Sequence, residues 1–176
     1  MTDVSINFRS VFWSNQAYRQ LATDFYHCHS KQVNLLLHWI GAGVQMWGAV
    51  QLLSLCNLHV IVYMFAAYVA SSVPAATAVV HSLLIYGFLR TSIPELVDSF
   101  VLLPGNIKVH PIAGCLLAFG CGFLKDVGHH VCNEPAFMGH YMKEKPYLFF
   151  FHATWHLPFL IDAYSPFSTV KKPKTI

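Results

Sequence analysis

Two histidines, His29 and His38, stand where the chain changes character. His29 belongs to Tyr26-His27-Cys28-His29-Ser30-Lys31, polar and rich in imidazole; His38 lies just inside a stretch from Val33 to Leu89 without Asp, Glu, Lys or Arg. Six further histidines, His27, His129, His130, His140, His152 and His156, lie near the polar ends of the later segments. Neutral imidazole is the commonest protein metal ligand. Several imidazoles gathered at one place therefore point to a metal centre. Spacing narrows how they could gather. On one continuous helix, nine residues turn a side chain by about 180° and raise it by about 13.5 Å, so His29 and His38 share an ion only if a helix begins between them. Ser30 is a suitable N-cap for that start. His152 and His156, four apart, share one helical face. His129 and His130, adjacent, point about 100° apart, so one of them faces any given centre.

The elements that must position these rings belong to a membrane protein. The chain is 55% hydrophobic and 11% charged, against about 25% charged in ordinary soluble domains. The uncharged run from Val33 to Leu89 exceeds the roughly 20 residues of a single crossing. We read a single all-α integral-membrane domain over 1–176 with about four transmembrane helices and additional amphipathic or interfacial segments. Residues 1–30 form an amphipathic, interfacial lead in which Phe8, Val11, Phe12, Tyr18, Leu21 and Phe25 recur at helical spacing; packing against the rest of the chain is the default reading of that apolar face. A four-span bundle occupies 33–124. Span A runs over about 33–56 with Gly41, Gly43 and Gly48 as small packing faces, and Asn57 turns the chain. Spans B (58–72) and C (75–90) are divided at Val73-Pro74, since proline disfavours helix in the residue before it. A surface connector runs from Thr91 to Lys108, and span D covers 109–124. A His-rich segment, 125–163, follows. Its last apolar stretch, Tyr147 to Ile161, is short for a crossing and is expected in the interface or re-entrant, where Pro158 ends or kinks it. Residues 164–176 are a basic tail.

Four crossings place both termini on one side together with Arg9, Arg19, Lys31, Lys125, Lys143, Lys145, Lys171, Lys172 and Lys174, and leave Arg90 and Lys108 opposite. That asymmetry orients the termini to the cytoplasm, or to the matrix in a mitochondrial inner membrane. The same topology brings the eight histidines above to the terminus-bearing face. His59 and His110 fall at the other face, and His81 lies within span C as a packed residue. The five cysteines lack CxxC spacing and read as reduced, buried thiols. Scattered basic residues argue against nucleic acid as a partner. A transporter is disfavoured because mid-span polarity is limited to His81, Gln45 and Gln51, with no carboxylate.

The pattern His29-x4-Asn34-x3-His38-x2-Gly41 resembles the first motif of the Mpo1-like family, and Gly128-His129 followed by Glu134-Pro135-Ala136 is similar to its second. The likeness spans about residues 22 to 162, with the two motifs as its specific parts. It implies an endoplasmic-reticulum membrane enzyme that uses Fe(II) and O2 to shorten 2-hydroxy fatty acids by one carbon. It carries over His29, His38 and His129 as iron ligands. His130, His152 and His156 compete for a fourth place, with His156 favoured, while Asn34 and Glu134 stand as further ligands or their supports. Imidazoles suit Fe(II), and an open position would admit O2 and the acid. The acyl chain would stay in lipid while Lys125 or Lys31 attracts its carboxylate. The residue that acts as the catalytic acid or base is unknown.

The chain departs from the family's pattern in three places. Lys125 stands where many members carry Gln, the acidic residue is displaced by one behind Asn133, and Met138 to Phe151 diverges. A cation beside a metal weakens its binding unless held away. The competing reading is a catalytically divergent accessory subunit with membrane-protein partners, such as part of a mitochondrial inner-membrane assembly.

Overall fold

The structure, a computed structural model, describes residues 15–91, 111–136 and 146–166. All its regular elements are helical: α1 Asn15–His27, α2 Gln32–Leu55, α3 His59–Ser72, α4 Ala75–Arg90, α5 Pro111–Gly120, a 3-10 turn Cys121–Phe123, α6 Leu124–Cys132 and α7 Pro146–Tyr164. Most of the connector and tail, His110 and His140 lie outside the described residues.

Helix α2 is the spine. It lies against α5 and α6 along one side and against α3, α4 and α7 on the other. Small residues set the first contact. A Cβ on Gly48 would come 2.8 Å from both the Ala118 Cβ and the Cys115 carbonyl, and one on Gly41 would come 3.2 Å from the Cys121 carbonyl. The two backbones touch there, as small residues allow between apolar helices. Gly48→Leu is expected to lower stability by about 3 kcal/mol or more, since a backbone must move to admit the side chain. The unfolding midpoint of the detergent-solubilised protein reads it, and a shift indistinguishable from zero would refute the contact.

Helix α2 ends at Cys56 with Asn57 at φ 58°. Leu58 N–H donates to Leu53 O at 2.8 Å and Asn57 N–H to Ser54 O at 3.0 Å. These two bonds around a left-handed residue form a Schellman stop. Spans A, B and C thus fall within a residue or two of their expected bounds. Span D does not. The 3-10 turn hands α5 directly to α6, and the helical run continues past the expected end at Leu124 to Cys132, taking in Lys125, Gly128 and His129.

Among the described residues one helix, Ile112–Cys132 (21 residues), is both long and apolar enough to cross a membrane; α3 and α4 are apolar but shorter. Helix α2 has 24 residues but carries Asn34, His38, Gln45 and Gln51. Large apolar side chains are exposed on α2 through α6, among them Met64 and Leu117 at 68% and Leu83 at 65%.

At the ends, the lead's Tyr18, Leu21 and Phe25 are fully buried, in keeping with its packing reading, and the last apolar segment is a 19-residue helix with Pro158 inside it. These two helices pack against each other. Tyr18 packs edge-on to Trp155 and against Phe159, at 5.7 and 5.1 Å between ring centres. Trp155 Nε1 donates to Ser72 Oγ at 3.0 Å. Asp162, buried, accepts from Thr77 Oγ1 at 3.3 Å and Tyr26 Oη at 3.4 Å, tying α1, α4 and α7 together.

Candidate metal centre

The helix break that the nine-residue spacing requires is present. Helix α1 stops at His27 and α2 starts at Gln32. Ser30 does not cap α2; the N-cap position is Lys31, which makes no side-chain cap bond. The free amides are met from a distant point of the chain. Glu134 Oε1 accepts from Ser30 N–H at 2.8 Å, Ser30 Oγ at 2.6 Å and Lys31 N–H at 3.1 Å, while Oε2 accepts from Asn34 Nδ2 at 2.7 Å. A carboxylate at a helix N-terminus is favoured by both the exposed amides and the helix dipole. Burial pushes the Glu134 carboxyl upward, but the hydrogen bonds from Ser30, Asn34 and Lys31 outweigh it and hold the pKa below its usual value. Another left-handed stop delivers Glu134. Asn133 has φ 50°, Glu134 N–H donates to His129 O at 3.0 Å and Asn133 N–H to His130 O at 3.2 Å.

With the break clamped, His29 folds back onto α2. Its ring stacks on Phe25 at 3.9 Å between centres, and its Nδ1–H donates to Phe25 O at 2.6 Å. His38 Nδ1–H donates to Asn34 O at 2.9 Å. A carbonyl only accepts, so both Nδ1 atoms carry the proton and both Nε2 atoms are bare lone pairs. Those two lone pairs face each other at 2.9 Å. Burial, and next the neighbouring His38, push the His29 pKa down to about 2, so no proton bridges them near neutrality. Two opposed lone pairs repel unless a cation lies between or beside them. Backbone carbonyls fixing the far nitrogen of each ring are the usual support of metal-bound histidine.

His129 completes the set. The ring nitrogens of His29, His38 and His129 can all lie within 4.8 Å of one another, and all three residues are buried. The donor set therefore fits a metal ion, while leaving open which one; imidazoles serve zinc, copper and iron. Gly128 lets α6 come this close. A Cβ there would lie 2.3 Å from Asn34 Oδ1 and 3.4 Å from His38 Nδ1.

The other candidates separate. His156 stacks on His38 at 5.1 Å between ring centres, outside the tight set, and its buried Nε2 has no hydrogen-bond partner. His152 is buried one turn before it, at 5.4 Å. His130 is exposed on α6 and turns away. Asn34 and Glu134 support the loop and the His38 tautomer. Lys125, partly buried, donates to Gln45 Oε1 at 2.7 Å, so a neutral amide holds the cation. Lys31 Nζ donates to Cys132 O, which fixes it to the end of α6. Gln45 is a site residue that composition passes over; it lies seven residues, two turns, beyond His38 on the same face, and that spacing is its signal.

A cavity of about 500 Å³ opens beside the centre. Its walls combine polar side chains, among them His38, His129, His152, His156, Lys125 and Gln45, with apolar ones such as Met46, Ala49, Phe65 and Phe119. It can hold a small or amphiphilic molecule against the imidazoles. Comparisons with protein-family models, characterised proteins and solved structures return no match.

Proposed function

We propose that the chain is a membrane-embedded, Fe(II)-dependent dioxygenase acting on 2-hydroxy fatty acids and shortening them by one carbon, in the endoplasmic reticulum with both termini cytoplasmic. The observation that carries the reading is the pair of unprotonated Nε2 atoms of His29 and His38, 2.9 Å apart with His129 beside them. The motif resemblance supplies the metal and the acid. The exposed apolar side chains of α2 through α6 support several crossings, since a water-soluble surface rarely shows so continuous an apolar face.

When bound, Fe(II) would supply O2 activation at this position. The chain's own residues do the rest. His29, His38 and His129 would hold the ion, and the Phe25 and Asn34 carbonyls keep the first two rings aimed and unprotonated at Nε2. Lys125 offers its ammonium to the cavity beside Gln45, and Met46, Ala49, Phe65 and Phe119 give it apolar wall. His156, with its bare buried nitrogen, is the fourth donor nearest the set.

Anaerobically purified protein is expected to carry stoichiometric iron and to shorten 2-hydroxypalmitate, and His29→Ala to lose both while remaining folded. Folded wild-type protein that holds no iron and converts no 2-hydroxy acid would overturn the reading. Lys125, one helical turn before His129, favours a second reading, a divergent accessory subunit. That reading requires co-purification in a stable membrane complex that survives His29→Ala and His38→Ala.

A further inference from the structure

Helix α5–α6 rests on α2 and, among the described residues, packs against none of α3, α4 and α7 to a comparable extent. The cavity occupies the resulting gap, with α5–α6 and α2 on one side and Phe65 of α3 and His156 of α7 on the other. It follows α2 from His38 to Ala49, eleven residues or about 16 Å of rise. Phe119, in its apolar wall, is 52% exposed, so the gap opens sideways among the same apolar side chains that face outward from α2 through α6.

Lys125 stands part-way along this lane, its ammonium against Gln45, which lies between His38 and Ala49 on α2. Among the described residues its ammonium meets the Gln45 amide oxygen and no carboxylate within ion-pair distance; Asp126, the next residue, is exposed and lines the cavity too, near enough to favour the charged lysine without pairing with it. Gln45 is itself fixed, because Gly122 leaves the room it fills: a Cβ there would come 2.7 Å from Gln45 Nε2. An ammonium facing an apolar cavity calls for an anion, and the amide beside it offers N–H groups to a second oxygen. We infer that the Gln45–Lys125 pair is a head-group anchor for a single-chain carboxylic acid whose tail enters sideways and lies along Met46, Ala49, Phe65 and Phe119. The inference deepens the reading above and rests on it for the class of acid, but the binding itself needs no metal.

The test uses full-length, chelator-treated protein in detergent and a fluorescent polyene fatty acid displaced by palmitate or by hexadecanol. Lys125→Met is expected to weaken palmitate about tenfold to hundredfold, and hexadecanol by no more than about twofold, because a charge-assisted hydrogen bond is lost for the acid alone. Lys125→Arg retains acid binding and controls for folding. Gly122→Val, by displacing Gln45, is expected to weaken palmitate without abolishing it. Equal losses for acid and alcohol in Lys125→Met, failure of Lys125→Arg to retain the acid, or displacement by a two-chain phosphatidate in preference to palmitate would each overturn the inference. Failure of the dioxygenase reading looks different. There, wild type and His29→Ala both bind palmitate in a Lys125-dependent way while neither holds iron.

Discussion

Gly128→Ala is expected to destabilise the protein by about 3 kcal/mol and to remove most of its metal-binding capacity, although the residue carries no functional group. The added Cβ would lie 2.3 Å from Asn34 Oδ1, far inside contact distance. Asn34 cannot swing aside cheaply. It is fully buried, its Nδ2 donates to Glu134 at 2.7 Å, and its carbonyl fixes the His38 ring. Either α6 moves off α2, carrying His129 away from His29 and His38, or the Asn34–Glu134 bond breaks and the loop at Ser30 is released. Overpacking costs about 1–3 kcal/mol and an unsatisfied buried polar group about the same. Denaturant unfolding with parallel metal analysis decides the matter. Asn34→Gly in the Gly128→Ala background should recover packing but not the clamp, giving partial stability without full metal content. Wild-type stability and metal content in Gly128→Ala alone would show that the contact does not set the site.

The three tight histidines were legible because their chemistry is written locally. Two motifs bring them forward, and nine residues of spacing forces a helix break that the fold contains between His27 and Gln32. The reason for the break was not legible. Ser30 has the side chain of an N-cap, yet its hydroxyl and amide both go to Glu134, which lies more than a hundred residues along the chain, and no local pattern encodes such a partner. Helices α1 and α7 were legible only in part. An apolar surface reads the same whether it is to face lipid or another helix, and the fold supplies the packing through the docking of Tyr18 and Phe25 on Trp155 and Phe159. Span D was cut short at Leu124 because Lys125 and Asp126 end the apolar run, whereas the helix continues by handing Lys125 to Gln45. Helical geometry gave one inward ring to the His129–His130 pair, and His130 is the exposed one; how far α7 holds His156 from the other rings depends on tertiary packing that no local spacing encodes.

The clamp at Glu134 gives the second large effect, and it separates support from ligation. Glu134→Gln keeps the shape and loses the charge that answers Ser30, Lys31 and Asn34. Metal affinity is expected to fall about tenfold to hundredfold, as for loss of a residue that orients metal-bound histidine, and Glu134→Ala should cost more. The pH profile distinguishes this from direct ligation. Glu134 has a lowered pKa when folded, so its stabilisation is present above the usual 4.5 and is lost as pH falls below that value toward the folded one. His29 is buried neutral with a pKa of about 2. Its unfolded form takes a proton below about 6.5 while the folded form does not, so stability declines from that point downward. Metal-free wild-type protein should therefore weaken in two stages, one beginning near pH 6.5 and one below about pH 4.5. Glu134→Gln should start from lower stability, keep the first stage and lose the second, whereas His29→Ala should blunt the first and keep the second. A Glu134→Gln profile parallel to that of wild type across both ranges would mean that the carboxylate does not hold the loop in its charged form.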